Sequence, residues 1–358
     1  MPHFSELFTT FNRIKQNHAD NLQNTGFYDI IWWIIGRNVL YIALCTLSAS
    51  RMPMRQIESF FHQVAPSVLF HYTSIGSVMR MAKSRSIWAS NVYYLNDSRE
   101  VIHACEILDD ELSPQLVFGD QSSTETKFCS QLSKWANQFR TTHHSIFIFS
   151  LSQQSSLLSQ WRSYTPHGKG VSIGFSPAIL NQIAQSSQAV LVKCIYKREE
   201  QQVLIRSLVE KILTSFRQWS PQVDLSREHP DYCYFKFLEQ FRGDFLRVLC
   251  VIKHPAFEEE QEWRLISPYY PPQPTPPLIK FREGASMLVP YVEFPLPSAG
   301  QVFEAAILGP SQHQDLSMSA VRMYLSNQDL CSYMENCTIP YREWWERSIH
   351  GGWSRIAR

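Results

Sequence analysis

The run Ser145-Ile146-Phe147-Ile148-Phe149-Ser150 constrains this chain more than any other stretch. Four large apolar residues in succession, closed at both ends by serine, lack the two-residue alternation of a strand with one wet face. They predict a strand buried on both sides. The rest of the chain can supply that cover. Of 358 residues, 44% are hydrophobic and 13% aromatic, enough for a large core and too many for a disordered chain.

Shorter segments of the same kind recur at irregular intervals. Val68-Leu69-Phe70 reads as a strand delivering His71-Tyr72-Thr73-Ser74, with a helix over Ile75–Lys83 and a strand near Ser86–Ser90. Asp97 with Glu100 three residues later makes a capping box for a helix to about Leu112. Val171–Phe175 and Val190–Tyr196 predict strands, and helical blocks follow over Glu199–Trp219 and Tyr232–Val251. Six prolines crowd Pro268–Pro277, which is loop or polyproline II. Ala305–Leu308 before Gly309-Pro310 predicts a last strand, and Gln314–Leu325 a last helix. Strands and helices that alternate without a fixed period indicate an α+β fold. The expected organisation is a helical N-terminal extension over residues 1–66, an α+β catalytic domain over 67–345 and a tail over 346–358.

The formal charge of +1 excludes a uniformly basic nucleic-acid binder and an acidic tail. Eight cysteines without a two-residue spacing read as reduced thiols, not as a zinc or redox site. Residues 1–16 have no apolar signal core, so a cytoplasmic protein is expected. Ile30–Ile35 and Val39–Leu47 are apolar, but Gly36-Arg37-Asn38 divides them, and no membrane span is expected.

Four elements put polar groups at the ends of apolar strands: His71-Tyr72-Thr73, Ser150-Leu151-Ser152, Trp161-Arg162-Ser163-Tyr164 and Glu260-Gln261-Glu262-Trp263-Arg264. On a strand, Glu260, Glu262 and Arg264 share one face while Trp263 and Leu265 pack on the other. Two carboxylates and a guanidinium on one face form either a charged site, with pKa values pushed apart, or a salt-bridged surface strand. Asp97, Glu100 and His103 share a helical side, but the capping box accounts for the first two and no metal is expected. Gly168-Lys169-Gly170 lacks the remaining residues of a phosphate loop.

The order of these pieces resembles the bacterial domain-of-unknown-function family 2971 from about Ser67 to Arg342. The residues that carry it are LFHYTS, Asn96-Asp97 with Glu100, SLS followed by QWRSY and GKGVSIGF, IKHPAFEEEQEWRLI, AILGP and Ile339-Pro340-Tyr341-Arg342. More distantly, His71, Ser150-Leu151-Ser152 and Glu260-Gln261-Glu262 resemble, in that order, the motifs of mono-ADP-ribosyltransferases. Leu151 stands where that family has threonine.

The second resemblance implies an ADP-ribosyltransferase-like core of two packed β-sheets flanked by helices. It implies an enzyme that cleaves the nicotinamide–ribose bond of NAD, its substrate, and transfers ADP-ribose to an unknown macromolecular acceptor, as a bacterial toxin or antiphage-defence effector. Glu262 then stabilises the oxocarbenium-like centre and Glu260 positions or deprotonates the acceptor. His71 holds the other ribose, Ser150 orients Glu262 or supports the cleft wall, and Ser152 belongs to the same strand-end motif. Tyr72 or Tyr164 stacks on nicotinamide, and Arg162 or Arg264 faces the pyrophosphate, with Arg264 alternatively a strut for the carboxylates. Two alternatives keep the same cleft: a metal-independent nuclease or phosphotransfer site on His71, Arg162 and Arg264, and a non-catalytic nucleotide- or partner-binding module. Residues 1–66 then serve a neutralising or homo-oligomeric partner.

Overall fold

The computed structural model describes residues 57–61, 63–95, 100–165, 170–222, 229–271, 279–284, 286–311, 313–339, 345–347 and 353–355. The chain divides into two units, Met1–Met54 and Arg55–Arg358. The first lies outside the described residues, and with it most of the expected extension 1–66 and the apolar runs at 30–35 and 39–47. Among the described residues no helix is long and apolar enough to cross a membrane.

Ten strands carry the second unit: β1 Leu69–Ser74, β2 Ser86–Asn91, β3 Phe147–Ser152, β4 Gly170–Phe175, β5 Val190–Lys193, β6 Glu262–Ile266, β7 Lys280–Glu283, β8 Leu288–Pro295, β9 Ala305–Leu308 and β10 Met334–Asn336. The helices among them are α1 Ile75–Ser84, α2 Glu100–Phe118, α3 Thr124–Asn137, α4 Leu158–Tyr164, α5 Pro177–Ser186, α6 Arg198–Trp219, α7 Pro230–Glu239, α8 Arg242–Leu249 and α9 Gln314–Asn327. A separate ladder pairs Trp345–Arg347 with Trp353–Arg355. The fold is α+β, a mixed open sheet flanked by helices, antiparallel except where β10 runs parallel to β9.

The expected pair of packed sheets is instead one hydrogen-bonded sheet of ten strands, because β3 binds both arms. Along one edge β3 meets β1 at Phe70↔Ser152 and β2 at Ser90↔Ile148 and Asn91↔Phe147. Along the other edge it pairs with β6 from Ile148↔Ile266 to Ser152↔Glu262. β1 and β2 therefore diverge from the same edge of β3, and the sheet forks at Ser150. One arm runs β1-β4-β9-β10 and the other β2-β8-β7, while β5 extends the sheet beyond β6.

Alternation divides the side chains between two cores. Phe147, Phe149, Leu151, Trp263 and Leu265 point to one face, where both arms and helices α1, α5 and α9 close around them. Ile148, Ile266 and Val192 point to the other face, against the helical layer of α2, α3, α6, α7 and α8. That is the cover demanded by the unbroken Ile146–Phe149 run. Each large apolar side chain taken fully out of water there contributes about 1.5–3 kcal/mol.

Two glycines let the β1–β4 ladder close. A Cβ on Gly174 would lie 2.7 Å from Val68 Cγ1, and one on Gly170 2.3 Å from Thr165 Cγ2 and 2.5 Å from the Thr73 carbonyl oxygen. Elsewhere the structure departs from expectation in local ways. The block Tyr232–Val251 is two helices, α7 and α8, with Gln240 and Phe241 between them. Helix α2 runs on through Pro114 to Phe118. Asp97 lies outside the described residues, so the capping box cannot be assigned there, and the Glu100 carboxylate bonds to Arg264.

Candidate functional site

Strand β6 starts abruptly. The chain leaves a 3-10 turn, Pro255–Glu260, passes through Gln261 in the left-handed region at φ 42°, and enters the strand at Glu262. Glu260 is thus a turn residue, not the strand residue expected. Trp263 and Leu265 do pack on the apolar face as expected, and Glu262 and Arg264 share the other one.

On that face the charges form a closed chain. Arg264, 1% exposed, donates from both terminal nitrogens to Glu100 at 2.7 and 2.8 Å and from Nη1 to the Cys250 carbonyl at 2.7 Å. Its Nε reaches Glu262 Oε1 at 2.8 Å and its Nη2 reaches Oε2 at 3.0 Å. Lys253 Nζ donates to Glu262 Oε2 at 2.6 Å and also to Glu260 Oε2. Arg264 is therefore the strut of the two alternatives raised by the sequence. It sits beneath the helical layer, tied to Glu100, and does not face solvent.

Three carboxyls share two cations, so the cluster is neutral when one carboxyl holds a proton. Burial works against ionisation of Glu262, but Arg264 and Lys253 outweigh it and bring its pKa down to about 2. Burial raises the pKa of Glu260, more than Lys253 lowers it. Burial likewise raises Glu100, which has Arg264 as its partner and the Glu262 charge beside it. The two carboxyls at the strand entrance are thus driven in opposite directions. One is a fixed anion. The other, on the rim, is a stronger base than an ordinary carboxylate.

Tyr164, at the end of α4, borders this entrance: burial first, then Glu260 and Glu262, push its phenol up to about 12. It is 39% exposed, whereas Tyr72 is 5% exposed. Tyr72 donates to the Gln154 carbonyl at 2.7 Å and packs edge-on against Trp161, ring centroids 4.8 Å apart. Tyr72 therefore belongs to the core under α4, and Tyr164 is the tyrosine a ligand can reach. Arg162 is exposed on the last turn of α4.

The serines act through the backbone. Ser152 Oγ donates to the Glu260 carbonyl at 2.7 Å and accepts from the Gln154 amide at 3.0 Å, clamping the turn to the end of β3. Ser150 does not orient Glu262. Its carbonyl, at the fork, takes a 2.8 Å hydrogen bond from His71 Nδ1. The His71 ring stacks on Phe149 at 4.2 Å, and burial lowers its pKa to about 4 against the opposing effect of the Ser150 carbonyl. His71 is therefore neutral at pH 7 and lies two strands from Glu262, bridging the gap where β1 leaves β3. Glu260, Glu262 and Arg264 come together; His71 and Ser150 form a second group.

Sequence reasoning missed Lys253 as the ion joining the carboxylates. The signal was its place seven residues before Glu260, as the lysine that precedes the run Glu258-Glu259-Glu260. Glu100 was weighed as a cap and as a metal-side carboxylate, not as the partner of Arg264. Tyr196, whose hydroxyl accepts from the Glu262 amide at 2.8 Å, had no signal at all.

Residues 160–265 match the family described as "Protein of unknown function (DUF2971)". The match runs from Gln160 through the charged entrance of β6 and bears out the first resemblance over that span. No curated protein and no solved structure matches the chain.

Proposed function

Taking residues 160–265 as a DUF2971 segment, we propose that the chain is an NAD-consuming, ADP-ribosyltransferase-like enzyme whose reacting centre is the entrance of β6. The observation that carries this reading is the pairing of an anion fixed by two cations, Glu262, with a rim carboxyl of raised pKa, Glu260, both bound to Lys253.

In the proposed reaction the bond between ribose C1′ and the nicotinamide nitrogen breaks. Its electron pair stays on the nitrogen, neutralising the pyridinium, and positive charge develops at C1′ and the ring oxygen. Three donors occupy the Glu262 carboxylate, which has about four acceptor positions, so one is left for a ribose hydroxyl. Arg264 and Lys253 keep that carboxylate ionised and in place without reorganisation. Glu260 takes the proton of the acceptor nucleophile as it adds to C1′, and its raised pKa suits that task. Tyr164 flanks the leaving nicotinamide.

The test is nicotinamide release from NAD by the purified full chain, beside Glu262→Gln and Glu260→Gln. Glu262→Gln is expected to lower kcat by about 10²–10³, the cost of losing one preorganised electrostatic stabiliser. Glu260→Gln is expected to slow transfer by about 10²–10⁴. Wild-type protein that neither binds NAD nor releases nicotinamide would refute the reading.

A further inference from the structure

Beyond the fork, the sheet face that carries Glu262 continues onto the β2-β8-β7 arm, and there its charge is reversed. The pairings Trp88↔Glu293, Ser90↔Tyr291 and Lys280↔Tyr291 put Trp88, Ser90, Tyr291, Lys280 and Arg282 on one side. Trp88 stacks on Tyr291 with ring centroids 4.6 Å apart. Arg80, reaching in from α1, holds its guanidinium carbon 5.4 Å from the Trp88 ring. Arg282 donates from Nη2 to Ser90 Oγ at 3.0 Å, one same-face position along from Trp88.

Among the described residues neither guanidinium has a carboxylate partner. Arg140, Arg198, Arg217, Arg242 and Arg264 each meet a carboxylate within 4 Å, but among the described residues none lies so close to Arg80 or Arg282. The carboxylate on this face, Glu293, is bound by Lys280 at 2.7 Å. The bond of Arg80 goes to a hydroxyl, Ser77 Oγ at 3.2 Å. The Trp88 indole N–H is buried and has no acceptor among the described residues. Arg282 is partly buried, and burial together with the Arg80 charge lowers its pKa. A partly buried cation beside another cation and an unmatched N–H are costly unless acceptors arrive from outside.

We propose that this cluster binds a phosphoryl group, as carried by pyrophosphate or a nucleoside diphosphate. A guanidinium presents paired N–H donors that match phosphate oxygens, and two of them on separate elements grip more than one oxygen. Arg80 also lines a cavity of about 720 Å³ between α1 and α9, together with Lys83, Arg85, Tyr324 and Gln328. The site stands without the carboxylate chemistry at β6.

The test is calorimetric titration of the full chain with inorganic pyrophosphate, ADP and adenosine at low ionic strength. Pyrophosphate and ADP are expected to bind, with affinity that falls as sodium chloride is added, and adenosine is not. Arg282→Gln and Arg80→Gln are each expected to weaken pyrophosphate at least tenfold. Arg80 is exposed on its helix, so its replacement leaves the core intact. Arg217→Gln, at an arginine paired with Glu125, is expected to bind as wild type does. Ligand-free Arg282→Gln is expected to melt no lower than wild type, because it removes an uncompensated cation. Wild type that ignores pyrophosphate, or arginine variants that bind it unchanged, would overturn the proposal. Pyrophosphate binding that survives Glu262→Gln in a protein inert toward NAD supports this site while refuting the NAD reading.

Discussion

Replacing Arg264 with methionine tests the charged entrance directly. The side chain is 1% exposed and holds Glu100 and Glu262, themselves 3% and 5% exposed, so Arg264→Met leaves two buried carboxylates without their guanidinium. Removing one partner of a buried ion pair costs about 3–5 kcal/mol. The Glu262 shift leads to a similar figure. Its pKa falls from 4.5 to about 2, and at 1.36 kcal/mol per unit that is about 3 kcal/mol of native-state stability. This contribution is present above pH 4.5 and is lost as pH falls through 2, because the unfolded state takes up the proton first.

In Arg264→Met the sign reverses. Burial then outweighs the remaining Lys253, the folded-state pKa rises above the unfolded one, and ionisation becomes a penalty as pH increases. The stability difference between wild type and variant should therefore be largest near pH 7 and shrink by about half or more near pH 4. Urea unfolding at both pH values reads this out, and at neutral pH the melting temperature should drop by about 10 °C. Adding Glu100→Gln and Glu262→Gln should recover part of the loss, since no bare buried carboxylate remains. A difference below about 1 kcal/mol at pH 7, or one independent of pH, would refute the argument that these charges hold one another.

The fork and the β1–β4 ladder yield two further expectations. His71 has a native pKa of about 4 against 6.5 unfolded, so its stabilising effect is complete above pH 6.5 and is lost toward pH 4. Wild type should lose about 2 kcal/mol between pH 7.5 and 5 that His71→Phe does not lose. His71→Phe should itself cost about 1–2 kcal/mol at pH 7.5 by stranding the Ser150 carbonyl, and urea titrations at the two pH values measure both effects. Gly170→Ala should cost about 1–3 kcal/mol in thermal unfolding, because its Cβ would come within 2.5 Å of the Thr73 carbonyl oxygen, a backbone atom that moves only with its strand.

Local pattern carried most of the architecture around the candidate site. The unbroken Ile146–Phe149 run marked β3, and the apolar run Val171–Phe175 marked β4. Two helices with good start signals went unread: Ser123 caps α3, and Ser176-Pro177 opens α5 with a serine cap and a first-turn proline. Strands β7 and β8 were hidden because Pro290 and Pro295 interrupt their alternation; Pro290 pairs with Phe281 in the β7–β8 ladder, and β8 ends at Pro295. Glu100 matched a capping box by spacing alone. Spacing does not register a guanidinium 164 residues further on.

Sequence alone determined that this chain is α+β, that β3 is buried on both faces, and that Glu262 and Arg264 share one face of β6. All of these follow from neighbours within a few residues, where backbone periodicity dictates which side chains share a face. Only tertiary structure decided that β1 and β2 leave the same edge of β3, that His71 spans the gap, and that Lys253 and Glu100 complete the charge cluster. It also brought Arg80 and Arg282 together beside Trp88 and Ser90 of β2, where no carboxylate among the described residues pairs with either. Those facts depend on which strand pairs with which and on the balance of burial against charge, and neither is a property of any local stretch of chain.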